Sequence, residues 1–240
     1  MTAEGWTQAV RRQLGLGRVL PLGGAADGVW VTESAVDGAL RQMAERVPGV
    51  RLGTVRIGQA APDEAGVPAV PPPPSALPPG PLRITAEFAV VAGEPLPAAA
   101  DRLRAALYEA AVGLGLLTDE VDLKVTALLD EADGADEAPP RRTGPPEPAP
   151  ERPAADHDEA RAERAALAVP GVARLTGVLG RAVHFEESPA SHTLPRRHAR
   201  VELATDRGHS ALDVALAVRG AVGAALPDGP TVAVLVTEVR

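Results

Sequence analysis

Cysteine is absent from the 240-residue sequence, which excludes disulfides, thiolate metal sites and cysteine nucleophiles. Aromatic residues number five, namely Trp6, Trp30, Phe88, Tyr108 and Phe185. Hydrophobic residues make up 45%, many of them alanine, so small side chains must fill most of the interior. No run of about 18 apolar residues is present, and the N-terminus lacks an apolar stretch ending in a small-residue cleavage site. A cytoplasmic chain without a membrane span is therefore expected. Lysine occurs once, at Lys124, and the net charge is −8. That balance speaks against a surface that tracks phosphates, and nucleic acid is not an expected partner.

What the sequence does contain is a repeat. Val47-Pro48-Gly49-Val50 returns as Val169-Pro170-Gly171-Val172, each copy ending an Ala-rich helical pattern and opening a strand. Downstream, Arg83 to Val90 falls on His198 to Thr205, with apolar letters on the same alternate positions and a glutamate, Glu87 or Glu202, at the same place. Leu103 to Leu107 falls on Val218 to Val222, and Val121 to Thr126 on Val232 to Thr237. One unit is used twice. The expected fold is α+β, two related small domains ordered β-α-β-β-α-β and then α-β-β-α-β, each a mostly antiparallel sheet with two helices.

The division reads as follows. Residues 1–22 form an amphipathic helix and turn, with Trp6, Val10 and Leu14 spaced by four beside Arg11 and Arg12, a pattern suited to packing on the first domain or to peripheral contact with an anionic membrane. Residues 23–129 form the first domain, interrupted by a Pro-rich loop at 60–81 that reads as exposed and polyproline-like. Within this domain Val29-Trp30-Val31 is a short strand, Thr32 the N-cap of the next helix, and Leu82 to Val90 a clean alternation. Residues 130–156 are acidic and Pro-rich, expected to be a disordered tether. Residues 157–240 are a second, degenerate copy that lacks a counterpart of Val29-Trp30-Val31, so one of its sheet edges is expected to be open. Its last strand is apolar on both faces, Val232, Val234 and Val236 against Ala233 and Leu235, which requires cover on both sides. That cover is expected from the first copy, another subunit or a partner.

Catalytic constellations are not legible. The five serines lie outside any Gly-x-Ser-x-Gly context, and the glycines at 15–24 match neither a dinucleotide fingerprint nor a P-loop. His184, His192, His198, Glu186 and Glu202 make an imidazole and carboxylate patch with Arg200, but without metal-ligand spacing, and on a face predicted to be solvated. Asp130, Glu131, Asp133, Asp136 and Glu137 lack calcium-loop spacing. The expectation is no catalytic residue, no metal and no cofactor. Arg104 and Arg219 recur on equivalent helices and Glu87 and Glu202 on equivalent strands, which reads as a repeated structural ion pair.

Val29-Trp30-Val31-Thr32, Val47-Pro48-Gly49-Val50, Leu82 to Val91, Leu96 to Leu107 and Val121 to Val125 together resemble the alkaline-shock, or general-stress, protein family of Gram-positive bacteria. The resemblance covers residues 28–128 well and 157–239 more loosely, and takes the form of an actinobacterial two-copy version. Chains of that kind also carry a label shared with a nucleopolyhedrovirus fibre protein, although no sustained heptad here supports a coiled-coil fibre. The resemblance implies a non-enzymatic interaction or scaffold protein of the envelope stress response, held at the cytoplasmic side of the membrane by a membrane-anchored relative, with self-association possible in the family. The residues expected to meet a protein partner are Trp6, Val10, Leu14, Trp30 and Leu235. The alternative is a soluble regulatory module that binds a small ligand between its two copies.

Overall fold

The computed structural model describes residues 17–130, 157–188 and 196–240. The first copy runs β1 (Val19–Leu22), β2 (Val29–Thr32), α1 (Glu33–Ala44), β3 (Val50–Gln59), β4 (Leu82–Val91), α2 (Leu96–Leu114) and β5 (Thr118–Leu129). The second runs α3 (His157–Leu167), β6 (Val172–Leu175), β7 (Val183–Ser188), β8 (Arg196–Thr205), α4 (Ala211–Ala225) and β9 (Thr231–Val239). The fold is α+β, with the strands in two sheets.

The alternation of β4 becomes the middle of a three-stranded sheet. Leu82, Ile84, Ala86, Phe88 and Val90 are buried and the residues between them look outward, the period of two of a half-covered strand. β3 pairs with it antiparallel and β5 parallel. The apolar stripe of α2, Leu103, Leu107, Ala111 and Leu114, covers the buried face together with Val36 and Leu40 of α1. Thr32 caps α1 as its sequence position predicts, its Oγ1 accepting from Ala35 N at 3.3 Å.

The second copy repeats this plan. β8 takes the place of β4 and runs parallel to β9, while the first expected strand of the second copy is split into β6 and β7, which pair antiparallel with opposite ends of β8. The large sheet is thus mostly antiparallel, with three antiparallel and two parallel pairings, and the small sheet has one of each. The β4–β5 and β8–β9 ladders share a detail. Each shifts register at a threonine of the last strand, Thr126 or Thr237, whose Oγ1 donates to the carbonyl of Phe88 or Leu203 at 3.2 Å.

The copies are not separate beads. The β1–β2 hairpin leaves the first copy and adds to the second sheet, β2 running parallel to β9, so that the order is β1-β2-β9-β8-β6 with β7 also on β8. The edge expected to be open is therefore filled. Val29 and Val31 join one contiguous core that holds residues of both copies, from Leu40, Ile84 and Phe88 to Val201, Val218 and Val234. Trp30 points to the other face and packs with Val19, Val70, Ala233 and Leu235.

That second cluster corrects the reading of the Pro-rich loop. Val70 is buried, Ala69 N donates to Ala25 O at 2.9 Å, and Leu77 N donates to Val19 O at 2.8 Å. The loop is a lid on the outer face of the large sheet, as a strand apolar on both sides demands. Two glycines make the junction possible. Gly28, at φ 63°, opens β2 where a Cβ would lie 2.7 Å from Val70 Cγ2; Gly115, at φ 92°, ends α2 where a Cβ would lie 2.4 Å from Leu212 Cβ. Left-handed backbone and close approach both call for glycine there.

Candidate functional site

Of the residues expected to meet a partner, Trp6, Val10 and Leu14 lie outside the described residues, as do His192 and residues 131–156. Trp30 and Leu235 are buried. They face each other beneath the Pro-rich loop, so the first copy supplies the cover that β9 needs and neither side chain is presented to a partner.

The titratable patch also differs from the expected solvated surface. His198 is buried with Nδ1 2.8 Å from Thr231 Oγ1; burial above all holds its pKa below the ordinary imidazole value, Arg200 adding to the effect and Glu186 opposing it. Glu202 is fully buried, accepts from Leu179 N at 3.0 Å and has Arg200 Nε 3.5 Å from its second oxygen. Burial pushes its carboxyl up, with the Leu179 bond and Arg200 pulling the other way. His184 and Glu186, 3.2 Å apart, stay partly exposed at the margin. No group of three or more such side chains is placed to hold a metal among the described residues. A shallow groove of about 370 Å³ beside this patch is lined by Phe185, Glu186, Glu187, Arg197 and Asp228. Its one cation already serves Asp158 at 2.5 Å and Asp228 at 3.5 Å.

The repeated Glu and Arg do not form a shared ion pair. Glu87 meets Lys124 at 3.2 Å, whereas its counterpart Glu202 meets Arg200. Arg219 Nη1 donates to Ala26 O at 2.9 Å and Asp27 O at 2.8 Å, clamping the turn that leads into β2. Arg104, its counterpart, donates from Nε to Val121 O at 3.3 Å and pairs with Asp101 at 2.6 Å. Arg219 therefore holds the turn before the strand that lies on β9, whereas Arg104 holds a carbonyl of β5 itself. In one copy a strand is there; in the other the edge is bare.

That bare edge is the site. On the opposite rim of the small sheet, β3 is blunted. Arg41 Nη2 donates to Gly53 O at 3.0 Å, Arg18 reaches Ile57 O, and the register breaks between Leu52 and Val55, devices that discourage strand addition. On β5, Arg104 holds Val121 O and the register against β4 shifts at Thr126, which leaves Leu123 to Val125 between them. By alternation, Leu123 and Val125 aim their backbone groups the same way as Val121, and no strand lies on that side among the described residues. The apolar side chains beside it are uncovered: Val125 is 39% exposed, Leu128 63%, Tyr108 48% and Val112 54%. Arg104, Tyr108 and Val112 recur every four residues and so share one face of α2, the face that Arg104 directs at β5. Leu117 extends the strip. Exposed apolar side chains at both ends of an open edge mark it as the candidate interaction surface.

No family model matches the chain, and no curated protein matches it. Two solved chains of the MamM-CTD, each with a pair of substitutions, align at 19% and 18% identity, covering 39% of this chain and 90% of theirs with a TM-score of 0.26. A likeness at that score carries no argument, and the geometry stands by itself.

Val125, Leu128, Tyr108 and Val112 were not among the expected contact residues. The available signal was the alignment of Val121–Thr126 with Val232–Thr237. It shows that the two last strands are equivalent, while only one Val-Trp-Val-Thr segment exists to pair with them. One of the two edges must go without.

Proposed function

We propose that this chain is a non-catalytic interaction or scaffold protein, and that it engages its protein partner along the free edge of β5. The observation that supports this is a 12-residue edge strand with no strand on its outer side among the described residues, flanked by the exposed apolar side chains of Val112, Tyr108, Val125 and Leu128. Glu202 and His198, by contrast, are buried, the first bonded to Leu179 N and the second against Thr231. Trp30, Val70 and Leu235 fill the outer side of the junction between the copies, which weighs against a ligand bound there. The resemblance to alkaline-shock proteins supplies the setting, the envelope stress response at the cytoplasmic side of the membrane, with a membrane-anchored relative as the partner. No helix among the described residues is long and apolar enough to cross a membrane, so attachment there goes through a partner or a peripheral contact.

The test is photo-crosslinking in cells with the reactive side chain placed at Leu128 and, as control, at Arg207 on an exposed turn. A discrete adduct at Leu128 in the membrane fraction, absent at Arg207, is expected. Equal labelling at both positions, or none at Leu128, overturns the proposal. Truncations that probe the N-terminal segment must stop at residue 16, because β1 begins at Val19.

A further inference from the structure

Resting on the reading of β5 as an interaction edge, we infer that this edge takes an extended segment of a partner polypeptide in parallel, as β9 takes β2, with Arg104 clamping the turn that precedes it. The chain carries its own template. β5 and β9 occupy the same place in their units, each parallel to its neighbour and each with the same threonine bulge. On β9, Val234, Leu235 and Val236 pair with Val29, Trp30 and Val31; Val234 N donates to Gly28 O at 3.1 Å, and Thr32 Oγ1 donates to Thr237 O at 3.2 Å. The equivalent groups on β5 are Leu123, Lys124, Val125 and the carbonyl of Thr126. Arg219 holds the carbonyls of Ala26 and Asp27; Arg104, at the equivalent place on α2, has Val121 O and the exposed Asp101 among the described residues.

The surroundings define the occupant. Residues next to Leu123 and Val125 fall on the helix-covered face and must be apolar and preferably β-branched, as Val29 and Val31 are. The residue next to Lys124 falls on the opposite face. There Trp30 meets Leu235 in the template, but β5 offers the exposed Lys124–Glu87 pair, so this residue is polar. A Ser or Thr then follows to donate to Thr126 O. The recognised segment is a glycine-led turn followed by apolar–polar–apolar–Ser/Thr. That pattern does not occur in residues 1–16, 131–156 or 189–195 of this sequence. The segment comes from another polypeptide.

The experiment uses the full chain, ¹⁵N-labelled, titrated with the peptide Ala-Asp-Gly-Val-Gln-Val-Thr-Glu, the sequence of residues 26–33 with Trp30→Gln. Saturable shifts of the Leu123, Val125 and Thr126 amides are expected, and a scrambled peptide should give none. Leu123→Pro removes an outward N–H rather than a ladder bond, a change an edge strand tolerates, and should abolish the shifts while the thermal transition persists. Arg104→Gln should weaken binding about tenfold through the lost charged donor. Shifts at Val29–Val31 and β9, which would report exchange with β2, overturn the inference, as does an unshifted β5. A dimer in sedimentation that dissociates in Leu123→Pro assigns the edge to a second copy and also overturns it. If crosslinks at Leu128 persist while the peptide fails, the strand-addition inference falls and the scaffold proposal stands; if both fail, both fall.

Discussion

Removing the Trp30 side chain should loosen both copies at once. The indole is 1% exposed and sits between β9 and the Pro-rich loop, against Leu235, Val70 and Val19. Burying about 150–250 Å² of aromatic surface at roughly 25 cal/mol/Å² is worth about 4–6 kcal/mol. Its Nε1 is buried without a hydrogen-bond partner among the described residues, which offsets about 1–3 kcal/mol of that gain. Trp30→Ala should therefore cost about 3 kcal/mol, while Trp30→Phe, which keeps the ring and drops the unpaired N–H, should stay within about 1 kcal/mol of the parent. At roughly 2–4 °C per kcal/mol for a chain of this length, the alanine variant should melt about 6–12 °C lower. The assay is differential scanning calorimetry. Because β2 belongs by sequence to one copy and by pairing to the other, one cooperative transition is expected, moving as a whole in Trp30→Ala. Two transitions of which only one moves, or a shift below about 2 °C, would refute the account of the junction.

Other perturbations read other parts of the structure. Arg219→Gln removes both bonds to the turn before β2 and should cost about 1–3 kcal/mol in urea unfolding, whereas Arg104→Gln, at an exposed pair, should stay within about 0.5 kcal/mol; equal costs would contradict the difference between the two edges. Glu202 has a folded pKa above the ordinary 4.5, so the stability it contributes is full below about pH 4.5 and is lost as pH rises through the folded value. Glu202→Gln should flatten that loss, and a parallel pH profile for the two proteins would count against it. His198, held below the ordinary 6.5 by burial, has the opposite sign: stability present above about pH 6.5 is lost as pH falls toward its folded value, and His198→Gln should remove this acid-side slope. Gly115→Ala combines a left-handed backbone with a Cβ driven against Leu212 and should cost at least about 2 kcal/mol by thermal melting; a neutral outcome would mean that α2 and α4 part more readily than their packing implies.

Much of this architecture is legible in the residues. The alternation of β4, the cap at Thr32 and the doubled Val-Pro-Gly-Val all specify local structure, because period, cap chemistry and turn chemistry act over a few residues. The apolar double face of β9 announces that something must cover it. The functional edge is less legible. Its exposed residues, Val125, Leu128, Tyr108 and Val112, look like ordinary core letters until their cover is seen to be missing.

The sequence by itself determined the duplication, the class of most elements and the need of β9 for two covered faces; Val19–Leu22, expected to belong to a helix and turn, is a strand because it pairs with β2. Only the tertiary structure decided which strand meets which. The valines and the threonine of Val29-Trp30-Val31-Thr32 suit either last strand, and the placement on β9 rather than β5 is made by contacts between residues some 200 positions apart, Trp30 with Leu235 and Thr32 with Thr237. The same long-range choice buries Glu202 while leaving its sequence twin Glu87 in solvent, and turns a proline-rich stretch into a lid through Val70. Burial is a property of what packs on a residue, and the two copies, alike in pattern, differ in what packs on them.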